Sequence, residues 1–328
     1  MSRLKVGIIG AGYIGGLHAA VLARDERVEI VAVHDAIRER AESLARAAGA
    51  TAMAVADDVI GASDAVYIAT PNTQHTDLAL ACIRARKHVF CEKPLATTLA
   101  DARLILEAAS PHERVFQVGF NRRFAPVYRA LKEVLAETPP HSAHVKMNRG
   151  ELLNPAWVGD PGLTGGFLYE TTIHMLDLLR FLFGEVVSLD VAGSAHEYAE
   201  MDDFSCLLRF ADGMHATLAS SADASWMFPY ERIEVFCHHA TVVTREAERI
   251  SASHAVDGRY TTQAMQQLSK EEKWGYVSED RAFVDAILND RPAAVTAHDG
   301  FKAVELVDAC YRAARTGERV TFGGAGDA

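Results

Sequence analysis

The apolar run Leu4–Ile9 leads directly into Gly10-Ala11-Gly12-Tyr13-Ile14-Gly15, and an alanine-rich amphipathic stretch opens at the last of these glycines. No other feature restricts the folding of this chain as strongly. Three glycines in one short turn allow a tight reversal and a close backbone approach. The helix that opens behind them presents unpaired N–H groups and the positive end of its dipole. The spacing alone is a weak signal; its place between a strand and a helix gives it weight. The same rhythm continues downstream. Residues 28–33, 65–69, 88–91 and 115–119 read as short buried strands, and helical patterns at Arg38–Ala48, 74–85 and 99–108 lie between them. Strands separated by helices imply βαβ crossovers, hence an α/β fold with a doubly wound parallel sheet.

From residue 122 the rhythm changes. A helical pattern at 126–136 ends at Pro139-Pro140, which reads as a linker-like turn, and strand-type segments then follow at 143–149, 186–195, 204–210, 215–220, 232–237 and 241–244. Asp212-Gly213 between two of them is the strongest short-range hairpin signal in the chain. A helix at 170–183 interrupts this mostly antiparallel open sheet, and helices at 279–288 and 298–316 follow, the last stopped by Gly317. At 328 residues the chain exceeds a single domain of roughly 100–200 residues. Two domains are expected, 1–121 for dinucleotide binding and 122–328 for substrate binding and oligomerisation.

Charge and cysteine usage narrow the function. Lys and Arg number 33 against 44 Asp and Glu, a formal net charge of −11. A broad nucleic-acid surface needs a basic footprint, so none is expected; anionic small molecules stay open, because a local site can oppose the global sign. The five cysteines are scattered without a C-x-x-C pair, which suggests reduced, packed thiols. No apolar stretch approaches the ~20 residues that span a bilayer, and no signal-peptide core precedes the first strand. A soluble, cytoplasmic protein with no membrane partner is expected.

Asp35 ends the second strand, about 20 residues beyond the glycines. A carboxylate there accepts hydrogen bonds from ribose 2′- and 3′-hydroxyls and repels a 2′-phosphate. Arg38 and Arg40 soften that repulsion, so the expected cofactor is NAD, with NADP as the alternative.

Two further clusters carry chemistry. Glu92-Lys93-Pro94 follows the strand at 88–91, at the carboxyl end where open α/β sheets bind ligands. Far downstream, Gly165-Gly166 precedes Glu170, His174 and Asp177, whose i, i+4 and i, i+3 spacings put all three on one face of a helix. Such a face can hold a divalent cation, but no second ligand cluster points there, and no metal is expected.

With these motifs, the sequence resembles the Gfo/Idh/MocA oxidoreductases, named for glucose–fructose oxidoreductase and inositol dehydrogenase. Ala69-Thr70-Pro71-Asn72 with His75, Lys87-His88-Val89, and Gly119-Phe120-Asn121-Arg122-Arg123-Phe124 extend the likeness over almost the whole chain. The resemblance implies a Rossmann-like domain followed by an α/β domain whose open sheet carries substrate residues and often mediates oligomerisation. Cofactor contacts are then expected from Gly10, Gly12, Tyr13, Ile14 and Gly15, from Asp35, from Thr70, Pro71, Asn72 and His75, and from Glu92, Lys93 and Asn121. Carried over, Lys93 contacts the substrate oxygen and the nicotinamide ribose, and His174 is the acid/base, with Glu170 and Asp177 as further catalytic candidates. Arg123 and Trp157 join Lys93, Glu170 and His174 as substrate-binding candidates.

The chemistry agrees with these roles. Oxidising a secondary alcohol releases the hydroxyl proton as the hydride leaves, which suits an imidazole, and an ammonium beside the same oxygen stabilises the developing alkoxide. The sequence departs from its relatives at one place: where the family usually has Asp-x-Gly-x-His, it has Glu170-Thr171-Thr172-Ile173-His174. The bulk of Thr172 is expected to fill space near the substrate. The favoured activity is a sugar or cyclitol dehydrogenase working as a homodimer or homotetramer. An enzyme using NAD without net redox, or a non-catalytic nucleotide-binding regulator, remains as an alternative, although retention of Lys93 and His174 counts against the regulator.

Overall fold

The computed structural model describes residues 3–148, 156–222, 224 and 230–323. The chain forms two compact units, Met1–Asn121 with Tyr276–Val304, and Arg122–Gly275 with Glu305–Ala328.

In the first unit, β1 (Leu4–Ile9), β2 (Val28–His34), β3 (Thr51–Ala52), β4 (Ala65–Ile68), β5 (His88–Glu92) and β6 (Phe116–Gly119) make one parallel sheet in the order β3-β2-β1-β4-β5-β6. The helices α1 (Tyr13–Leu22), α2 (Arg38–Ala48), α3 (Ala56–Ala62), α4 (His75–Arg84) and α5 (Leu99–Ala109) alternate with the strands. All four residues of β4 are buried, as a strand covered on both faces requires. The two-residue β3 and the seven-residue α3 were not expected, since neither is long enough to show a period. Strand order reverses between β1 and β4, the switch point at which such sheets take their ligands.

Tyr276–Val304 returns to this unit, whereas the expected division kept everything after residue 121 together. The reason is aromatic packing. Phe283 and Val284 join the core around Val6, Ile8 and Phe90, and the Phe283 ring meets Tyr67 and Phe90 edge-on at 5.5 and 5.6 Å. A Cβ on Gly300 would come within 2.9 Å of Val118, so that glycine permits close approach of its helix to the sheet. An amphipathic helix reads the same from sequence whichever sheet it covers, which is why the return was not legible.

The second unit is built on nine strands in the order β14-β13-β12-β11-β7-β10-β9-β8-β15. These are β7 (Pro140–Asn148), β8 (Val186–Ser194), β9 (Asp203–Phe210), β10 (His215–Ser221), β11 (Glu231–Cys237), β12 (Ala240–Arg245), β13 (Arg249–His254), β14 (Arg259–Ala264) and β15 (Val320–Thr321). All neighbours are antiparallel except β7 and β10. Pro140, read as part of a linker, instead begins β7; a proline is tolerated as the first residue of a strand. The Asp212-Gly213 hairpin forms as expected, with Gly213 at φ +91° and Arg209 opposite His215. Strands β13 and β14 escaped the sequence reading because β14 is exposed along its whole length and lacks an apolar alternation. The helix Pro126–Glu137 packs on β12 and β13. The helix expected at 170–183 is two elements, a π-helical turn at Leu168–Thr172 and an α-helix at Ile173–Phe183. Among the described residues no helix is long and apolar enough to cross a membrane.

Candidate functional site

The first unit gathers the cofactor candidates at the carboxyl ends of its strands. Gly10, Gly12, Tyr13, Ile14 and Gly15 follow β1, Asp35 follows β2, Thr70, Pro71 and Asn72 follow β4, Glu92 ends β5 with Lys93 next, and Asn121 lies just past β6. Two glycines are there because nothing else fits. Gly10 has φ +101°, and a Cβ on it would lie 2.3 Å from the Ala69 carbonyl oxygen. A Cβ on Gly15 would lie 1.9 Å from the Gly10 carbonyl oxygen. At Gly12, by contrast, a Cβ meets nothing within 4 Å, and as the N-cap of α1 this glycine has no side chain with which to cap the first turn. The helix start therefore faces open space with its N–H groups directed at it, the cradle a pyrophosphate needs. Asp35 accepts the backbone N–H groups of Ala11 and Ile37, each at 2.7 Å and each on a different carboxylate oxygen. That fixes the carboxylate in place and leaves a lone pair on each oxygen for a ribose hydroxyl.

His75 is placed differently from expectation. It is fully buried, and its ring nitrogens face the carbonyl oxygens of Pro94 at 2.7 Å and Thr70 at 3.0 Å. Burial holds its pKa below the ordinary histidine value, against the two carbonyl contacts. It ties the loop after β4 to the turn after β5, and both nitrogens are turned to backbone rather than to a ligand.

Lys93 is half-buried, and the Lys93-Pro94 peptide is cis. Its backbone N–H donates to Glu92 Oε2 at 3.1 Å, while Glu92 Oε1 lies 3.0 Å from His18 Nε2. The other ring nitrogen of His18 lies 2.8 Å from Asp280 Oδ1. The ligand atoms of His18, Glu92 and Glu279 all fall within 4.8 Å of one another, a spacing a metal accepts. Both ring nitrogens of His18 are already given to carboxylates, which leaves the imidazole no lone pair for a cation. Glu92 was singled out from the sequence; His18, Glu279 and Asp280 were not.

In the second unit, Glu170 lies on the π-helical turn and His174 and Asp177 on the α-helix that follows, all three buried. Asp177 and Arg123, expected to serve catalysis and substrate, hold each other in a bidentate pair at 2.8 and 2.6 Å, with the Arg123 guanidinium over the Phe181 ring. Thr172 does not simply add bulk. Ser220 donates to the Met147 carbonyl at 2.8 Å, so the 2.7 Å contact between the two hydroxyls is Thr172 donating to Ser220. The threonine that replaces the family's glycine thus ties the turn to β10 and β7. A second buried pair, Arg122 with Glu231 at 2.9 Å, was also unread; Tyr128 donates to the same carboxylate and Trp274 lies against the guanidinium. The Trp157 side chain lies outside the described residues.

Comparison with known proteins gives this arrangement a relation. Residues 4–120 match the Gfo/Idh/MocA family's NAD-binding Rossmann fold, and residues 138–322 its C-terminal alpha/beta domain. The chain belongs to the Gfo/Idh/MocA oxidoreductases. Inositol 2-dehydrogenase of Rhizobium meliloti (strain 1021) is 31% identical over 325 residues, 94% of this chain and 96% of that protein. A putative myo-inositol dehydrogenase from Sinorhizobium meliloti 1021 superposes with a TM-score of 0.84 at 27% identity, covering 98% of this chain and 100% of that one. GenD2 from gentamicin A biosynthesis, solved in complex with NAD, has a TM-score of 0.86 at 25% identity over 99% and 97% of the two chains. The cofactor of this oxidoreductase is NAD.

Proposed function

We propose that this oxidoreductase is an NAD-dependent dehydrogenase of a secondary alcohol on a cyclitol or sugar, with inositol-like polyols as the first class to examine. The observation that carries the reading is the position of Lys93: it directly follows β5, at the same carboxyl end of the sheet that presents the Gly10–Gly15 turn and Asp35. The relatives named inositol 2-dehydrogenase support the polyol class. Bound NAD supplies the acceptor for the hydrogen and electron pair on the carbinol carbon. His174, as neutral imidazole, takes the hydroxyl proton, and the Lys93 ammonium stabilises the oxygen as its charge develops. Arg123 and Asp177 are better read as a fixed pair that holds the 3-10 turn Asn121–Phe124 against the helix Ile173–Phe183 than as groups for the reacting oxygen. In this reading the first unit holds the cofactor, the second supplies His174 and Glu170, and the open sheet joins copies of the chain.

The test follows the hydrogen. A panel of inositols and sugars deuterated at the carbinol carbons is incubated with NAD and the enzyme. Reduced nicotinamide carrying deuterium, in proportion to ketone formed, is the expected result. Substrate conversion without release of reduced cofactor would replace this reading with transient oxidation, and no conversion across the panel would remove the polyol class.

A further inference from the structure

The first unit contains a buried charge cluster that the reaction above does not use. His18 is fully buried in α1, yet both its ring nitrogens meet carboxylate oxygens, Asp280 Oδ1 at 2.8 Å and Glu92 Oε1 at 3.0 Å. Only the imidazolium donates from both nitrogens. Loss of either proton would set a nitrogen lone pair against a carboxylate oxygen in a site closed to water. The Glu92 carboxylate is a bridge, because its second oxygen accepts the Lys93 backbone N–H at 3.1 Å. Space for that bridge is kept by Gly119, opposite Glu92 in the sheet register: a Cβ there would lie 2.8 Å from Glu92 Oε1.

We propose that His18 is a positioning residue for Lys93, acting through the Glu92 carboxylate and anchored by Asp280. This role rests on the reading of Lys93 as the group that meets the substrate oxygen. An unsupported strand end leaves a lysine's direction to chance; here a charge-assisted chain from helix Tyr276–Leu288 through α1 to β5 fixes the backbone from which the Lys93 side chain departs.

The groups facing His18 come from every element packed on it. Glu92 belongs to β5, Glu279, Asp280 and Tyr276 to the helix Tyr276–Leu288, and Tyr67 to β4, with the Phe90 ring 4.9 Å away. Burial pulls the His18 pKa down, but Asp280 and Glu92 outweigh it and raise the value well above the ordinary one. Burial likewise raises Asp280, with His18 acting in opposition. A histidine raised on folding contributes stability that is complete below its unfolded pKa of about 6.5 and is lost as pH rises through the folded value.

The test uses His18→Gln, which cannot become a cation, and Gly119→Ala, which displaces the Glu92 carboxylate and leaves His18 unchanged. Both are measured as folded enzyme with NAD and the polyol substrate. Each is expected to lower kcat/KM by about 10-fold or more through misplacement of Lys93, with the NAD dissociation constant nearly unchanged. In a Lys93→Ala background His18→Gln should cost nothing further, and it should flatten the decline of melting temperature on the alkaline side. Folded variants that both keep wild-type kcat/KM would overturn the role, and so would an equal loss in the Lys93→Ala background. If Lys93→Ala itself keeps normal turnover, the reading of Lys93 fails first, and that single variant separates the two failures.

Discussion

In the proposed mechanism an ammonium at Lys93 stabilises the reacting oxygen, whereas a carboxylate at Asp35 selects the cofactor. Lys93→Ala and His174→Ala are each expected to lower turnover by ~10²–10⁴-fold while NAD still binds, because the proposed mechanism puts both on the reacting oxygen and neither belongs to the glycine turn. Turnover with polyol and calorimetry with NAD check this in the same preparations, and a variant with near-normal turnover leaves the mechanism. Asp35, fixed by Ala11 and Ile37, is expected to enforce the choice of cofactor. Asp35→Ser with an added positive charge nearby should raise NADP use relative to NAD; tighter NADP than NAD binding by the unaltered protein would contradict the charge argument. These residues were singled out because each sits in a local motif. His18 was not, since its partners lie 74 and 262 residues away and a lone histidine on a buried helix face carries no sign of them.

The turn and helix from Leu168 to Phe183 show how an element can be half legible. Its apolar positions follow a helical period, and the α-helix Ile173–Phe183 forms, but the π-helical turn before it leaves the period almost unchanged and so is silent in the sequence. The turn matters because it carries Glu170, and i, i+4 spacing across it no longer guarantees a shared face. Glu170→Gln keeps the shape and removes the charge. If the carboxylate favours the imidazolium of His174, the rising limb of the oxidative pH–rate profile should shift to lower pH in the variant, since neutral imidazole then appears earlier. Superimposable profiles with only a lower melting temperature would reduce Glu170 to an acid near a helix start. The same element is pinned by Arg123. Removing one partner of a buried ion pair leaves the other charge uncompensated, so Arg123→Met is expected to cost roughly 3–5 kcal/mol in urea unfolding. Arg123→Met with Asp177→Leu should recover much of that loss. Equal destabilisation by both would mean that the pair is not what holds the segment.

At the scale of the molecule, the two fold classes were readable and their boundary was only partly so. Alternating strands and helices imply a parallel sheet, closely spaced strands an antiparallel one, and both sheets form in sequence order. The return of Tyr276–Val304 to the first unit depends on Phe283 finding Tyr67 and Phe90, a long-range match that periodicity does not encode. The second sheet leaves apolar and polar side chains of one face partly open, including Leu207 beside exposed Ser205 and Thr217. A sheet face of this size is expected to be covered by a second copy of the chain. Sedimentation at micromolar concentration should therefore show a dimer or tetramer, and a lone species of 35.7 kDa would contradict the proposed assembly. The central claim, that this protein moves hydrogen between a polyol and NAD, is tested most directly by one absorbance measurement. Purified enzyme with NAD and myo-inositol or a related polyol should develop the near-ultraviolet band of reduced nicotinamide, and the Lys93→Ala and His174→Ala variants should develop it far more slowly. Absence of the band with every polyol tried, from enzyme that binds NAD, would contradict the account.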